Sequence, residues 1–156
     1  MAIPLAGMAP AVAAAADAGE VAYNFAVDGS SVVNTITNST GVPLTCGTAL
    51  APAPDGVLPP VADVVMAGQT IFTQGQVAPG VTTQTVTAIP DGSYVVMATC
   101  GRYDATPAMW VSAYPGIEEY LTAFQMPAFT VDEASPVITI PGPVVPGTGI
   151  GAIFGS

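Results

Sequence analysis

The feature that most limits the fold is a two-residue rhythm broken at short intervals by turn residues. Val21, Tyr23, Phe25 and Val27 alternate with Ala22, Asn24 and Ala26, the period of a half-buried strand. Asp28-Gly29 follows, a pair that tolerates the positive φ of a tight hairpin. Residues 32–37, β-branched apart from Asn34, read as the return strand, closed by a second turn at Asn38-Ser39-Thr40-Gly41. That turn is also a formal glycosylation sequon, which marks it as exposed. Residues 42–50 continue as a strand carrying Cys46. Segment 51–63, APAPDGVLPPVAD, contains four prolines and reads as a long extended loop, because a central strand does not tolerate missing donors. Residues 64–66 and 70–73 are weak strand candidates around Gly68, and 81–88 is a Thr- and Val-rich strand after Pro79-Gly80.

Pro90-Asp91-Gly92 makes the next turn. Beyond it Tyr94, Val96, Ala98 and Cys100 share one face, with Val95, Met97 and Thr99 on the other. Both faces are largely apolar, which predicts a central strand covered on both sides. Residues 109–113 continue the β pattern, with Trp110 directed to the core. Ile117, Tyr120, Leu121 and Phe124 follow the i, i+3, i+4, i+7 spacing of one short amphipathic helix. Glu118 and Glu119 lie in its first turn, where the dipole favours acids. Residues 128–131 and 137–140 read as two short strands. The expected fold is all-β, an antiparallel sandwich of about seven to nine strands with one short helix near residues 117–124.

The two ends differ from this middle. Residues 1–16, MAIPLAGMAPAVAAAA, are apolar and end in small residues before Asp17, as in a cleavable signal peptide, although no basic residue precedes the apolar run. The sandwich domain is expected over 17–140. Residues 141–156 are uncharged but interrupted by Pro and Gly, which suits an extended tail or an apolar docking segment and not a membrane helix.

Charge then prunes function. The 156 residues carry eleven Asp or Glu, one Lys or Arg and no His, a net charge of −10. Arg102 is the sole basic side chain, so neither phosphate backbones nor anionic lipid surfaces find the several cations they need. Without His or Lys the chain builds no Ser–His, Cys–His or Ser–Lys nucleophile and no His-ligated metal site. Carboxylates remain. Glu118 and Glu119 are adjacent on a helix and diverge, and Asp104 meets Asp132 or Glu133 only if the tertiary fold brings them together. The loop acids Asp55, Asp63, Asp91 and Asp104 lack the spaced run of a calcium loop. No catalytic residue, metal or cofactor is therefore expected.

Cys46 and Cys100 are the only cysteines and form no CxxC motif. They are a structural disulfide, the form favoured outside the cell, or two buried thiols. Next to the second cysteine, Arg102, Tyr103 and Asp104 form a candidate ligand surface with Tyr114, an anion or sugar contact beside an aromatic platform. The alternative for Arg102 is a structural ion pair with Asp104.

Pro79-Gly80, the Thr-rich run 82–87 and Asp91-Gly92-Ser93-Tyr94 resemble the penultimate strands of immunoglobulin-like bacterial modules, over roughly residues 20–113. The resemblance implies an Ig-like sandwich but not an antibody-type domain: Ala98 stands two residues before the second cysteine where those domains have Tyr, and Trp110 follows both cysteines. The composition, high in Ala, Gly, Pro, Val and Thr, is similar to that of small exported envelope proteins of actinobacteria. These readings imply an extracellular or envelope protein without enzymatic activity, binding a protein or glycan of the cell surface. Two alternatives stand beside it: a self-assembling surface subunit whose apolar C-terminal stretch, residues 137–154, adds a strand to a neighbour's open edge, and a carboxylate-based hydrolase.

Overall fold

The computed structural model describes residues 17–67, 71–123 and 126–142. They hold strands β1 (Val21–Asp28), β2 (Ser31–Asn38), β3 (Leu44–Pro52), β4 (Ile71–Val77), β5 (Gly80–Val86), β6 (Gly92–Arg102), β7 (Ala108–Ala113), β8 (Ala128–Ala134) and β9 (Val137–Ile140). Two α-helices, α1 (Val61–Ala67) and α2 (Ile117–Leu121), and two single-turn 3-10 helices, Ala18–Glu20 and Pro54–Gly56, complete the regular elements among the described residues. The expectations for residues 1–16, for Gly68, for Phe124 and for the tail beyond 142 fall outside the described residues.

The strands form two sheets. The smaller runs β1-β2-β5 and is antiparallel throughout. Its first hairpin turns at Gly29, whose φ of 63° is the reason a glycine follows Asp28 there. The larger sheet runs β4-β3-β6-β7-β8, and β9 also pairs with β6. One pair departs from the expected antiparallel arrangement: β7 and β8 are parallel, with Trp110 opposite Phe129. The connection through α2 carries the chain back to the start of β7, so β8 enters in the same direction.

Strand β6 holds two partners in line along one edge. Thr99–Arg102 pair with β7, and Gly92–Val95 pair with β9. Side chains bridge the junction between them. The Ala98 amide donates to Ser112 Oγ at 3.0 Å, and the Ser112 and Ser135 hydroxyls are 2.7 Å apart. The Val96 amide donates to the Pro136 carbonyl.

The predicted two-sided burial of β6 follows from a third layer. Its inner residues Tyr94, Val96, Ala98 and Cys100 face the smaller sheet, and its outer residues Val95 and Met97 pack with Val64 of α1 and with Ile117 and Leu121 of α2. Helix α1 corrects the expectation of an extended loop to residue 63 and a strand at 64–66. Pro60 opens the helix, its carbonyl accepting from the Asp63 and Val64 amides. Val61, Val64 and Val65 then lie on one side at helical spacing and pack against the outer face of the larger sheet. Their β-branched character suggested a strand; burial of that side outweighed propensity.

The disulfide is present. Cys46 and Cys100 are register partners on β3 and β6, their Cα atoms 4.0 Å apart and both side chains fully buried. It therefore links neighbouring strands within one sheet, close to the spacing of a narrow antiparallel pair. Beside it a polar chain crosses the core. Gln84 Nε2 donates to the Cys46 carbonyl at 2.9 Å, Thr48 Oγ1 donates to Gln84 Oε1 at 2.8 Å, and Asn34 Nδ2 donates to Thr48 Oγ1 at 2.9 Å. The Cys46 carbonyl fixes the direction of all three bonds, because it accepts only. The Asn34 Oδ1 at the far end has no hydrogen-bond partner among the described residues.

Candidate functional site: a groove on the outer face of the larger sheet

Side chains alternate across β3 and β6, so Thr45, Gly47 and Ala49 stand on the same outer face as Met97, Thr99 and Gly101. The register places Gly47 opposite Thr99, Ala49 opposite Met97 and Thr45 opposite Gly101. Five of these six side chains are small, which leaves a low floor. The walls rise on either side of it. Phe72 of β4 and Val64 of α1 bound one flank, and Met109 and Val111 of β7 with Leu121 of α2 bound the other. At one end the Tyr103 ring folds back over Gly101, where a Cβ would overlap it. The groove encloses about 360 Å³, at the small end of the range for small-molecule sites.

Its chemistry is uniform. No charged side chain lines it among the described residues. Thr99 on the floor and Gln74 on the wall offer polar groups that make no hydrogen bond within the described residues. Three aromatic side chains line it: Phe72 and Tyr103, 48% and 65% exposed, and the half-buried Tyr120 of α2.

The surface expected from sequence divides between three places. Arg102 and Tyr103 are successive residues at a strand end, and Arg102 points inward, 8% exposed. Its guanidinium carbon lies 5.7 Å from the Trp110 ring centroid, its Nε donates to the Thr106 carbonyl at 2.6 Å, and Asp104 Oδ1 is 3.6 Å away. The same Asp104 oxygen accepts from the Thr106 amide at 2.9 Å. That bond, more than Arg102, holds its carboxyl below the ordinary range. Arg102 and Asp104 thus meet as a brace over Trp110, the ion-pair alternative. Trp110 itself is fully buried, and its indole N–H donates to the Asp17 carbonyl at 2.8 Å.

Tyr114, expected at the surface, is 6% exposed beneath the helical layer, where its hydroxyl donates to the Pro59 carbonyl. Burial, and then the nearby Asp63, push its ionisation up. Of the four residues only Tyr103 reaches the groove. The rest of the site carried a faint signal, the isolated glycines 47 and 101 inside strand patterns, which mark a close approach or an open face.

No helix of the described residues is long and apolar enough to cross a membrane. Fold and site together define a disulfide-linked, two-sheet β protein with an uncharged groove on the outer face of its larger sheet. The sequence matches no protein-family model and no curated protein, and the fold matches no solved structure.

Proposed function

We propose that the chain is an exported, non-enzymatic binding module of Ig-like architecture, working in the cell envelope or culture fluid and binding through the outer-face groove. The groove is the observation that carries this reading: an open, mostly apolar concavity that presents the Thr99 hydroxyl and the Gln74 amide, and that no charged side chain lines among the described residues, suits recognition. The Ig-like assignment is supported by strand order, since β1-β2-β5 facing β3-β6-β7 follows the A-B-E and C-F-G arrangement of such sandwiches. It is supported too by Tyr94 near the start of β6, whose hydroxyl donates to the Pro90 carbonyl at 2.7 Å in the manner of a tyrosine corner. The within-sheet disulfide and the parallel β8 depart from that pattern. Export is supported by the disulfide itself. The self-assembly alternative loses part of its docking segment, because Val137–Ile140 already pair with β6 of the same chain.

Intact-mass measurement on the native protein, from cells and from medium with and without reductant, tests this function. The expected species is found outside the cell, lacks roughly the first sixteen residues, and gains two protons on reduction. A full-length, reduced species confined to the cytosol would overturn it.

A further inference from the structure

We propose that the groove selects uncharged, largely apolar small molecules and rejects anionic amphiphiles; this rests on the groove being the binding surface. The argument is one of charge and size. The chain carries eleven acids against one Arg, so an approaching anion meets a repulsive field. A site for a carboxylate, sulfate or phosphate head needs a cation or convergent backbone amides to replace its hydration. The sole cation, Arg102, is on the opposite face of the larger sheet, held by Thr106, Asp104 and the Trp110 ring. The strand amides that meet the floor are engaged in the β3–β6 ladder. The groove offers apolar walls and the uncharged Thr99 hydroxyl and Gln74 amide. A neutral body with one or two hydrogen-bonding groups satisfies both. A cavity of about 360 Å³ holds a small molecule and not a folded partner.

Two fluorescent probes of one skeleton separate these terms: neutral N-phenylnaphthylamine and anionic anilinonaphthalene sulfonate. Both are titrated against the purified full chain by fluorescence, alongside two variants. Gly47→Ile raises the floor, and its Cβ meets nothing closer than the Thr73 carbonyl at 3.5 Å, so the strand accepts it. Gln74→Lys adds a cation to an exposed wall position. The expected result is neutral-probe affinity at least tenfold above that of the anionic probe. Gly47→Ile weakens the neutral probe at least tenfold, and Gln74→Lys strengthens the anionic probe about tenfold with the neutral one unchanged. Equal affinities in the natural chain, both lost in Gly47→Ile, would overturn the selectivity and leave the groove standing. No binding of either probe, or binding that survives Gly47→Ile in a folded variant, would overturn the groove reading itself. A variant ending at Gly142 that binds the neutral probe tenfold more tightly would assign the groove to the chain's own tail and also overturn the proposal.

Discussion

Replacing both cysteines with alanine isolates the covalent link from the sheet that surrounds it. Cys46 and Cys100 are separated by 54 positions and are register partners in the β3–β6 ladder. The ladder holds the two strands together in the folded state, so the bond acts mainly by limiting the unfolded chain. The chain-entropy relation gives about 4 kcal/mol for a loop of this length. With an unfolding entropy of roughly 2 cal/mol/K per residue over the roughly 120 described residues, that becomes a fall in Tm of about 15 °C. Both sites are buried, so the lost sulfur atoms add a small packing cost in the same direction. Calorimetry of the oxidised natural chain and the Cys46→Ala/Cys100→Ala variant measures this directly. The variant should keep its β-type circular dichroism, because the flanking pairs remain. A fall in Tm of less than about 4 °C would refute the reasoning, since it would mean the unfolded chain gains little freedom when the link is cut.

Three further outcomes follow from buried polar groups. Asn34→Leu removes a side chain whose Oδ1 has no partner among the described residues, while Thr48 keeps its bond to Gln84; stability should rise by about 1 kcal/mol in urea titration, and a loss above about 2 kcal/mol would contradict a chain in which Asn34 donates to Thr48 and its Oδ1 stays unsatisfied. Tyr23 is buried and donates to the Trp110 carbonyl, and burial raises its ionisation above the ordinary value of about 10. The folded state then holds a proton that the unfolded chain has lost, so this contribution is complete below pH about 10 and falls away as pH rises through the folded pKa. Alkaline melts should show Tm declining above pH about 10, and Tyr23→Phe should flatten the decline. Arg102→Met should cost about 1–3 kcal/mol through the lost bond to Thr106 and the stack on Trp110, yet leave probe binding at the groove unchanged.

Much of the β framework was legible because one face of each strand is buried and the turns carry their own chemistry. Residues 137–140 form the short strand expected of them, and 94–100 is buried on both faces as its apolar character on both sides requires. Helix α1 was not, because its valines carry a strand propensity that only the packed outer face overrides. The parallel β7–β8 pair escaped for a related reason: pairing direction depends on where α2 returns the chain, which no local pattern encodes. The candidate surface was assembled from sequence neighbours, but Arg102 ends β6 pointing inward, whereas Tyr103, the next residue beyond the strand, folds back over Gly101 on the outer face. The groove joins Gly47, Phe72, Thr99 and Leu121 from four elements, and its floor consists of residues notable for having little side chain.

Backbone amide shifts, recorded by nuclear magnetic resonance while neutral N-phenylnaphthylamine is titrated into the labelled full chain, test the central claim most directly. The groove account predicts saturable shifts concentrated at Gly47, Thr99, Val111 and Leu121, with Asn24, Thr35 and Thr83 on the outer face of the smaller sheet unmoved. Shifts centred on that smaller sheet, or scattered without saturation, would contradict it.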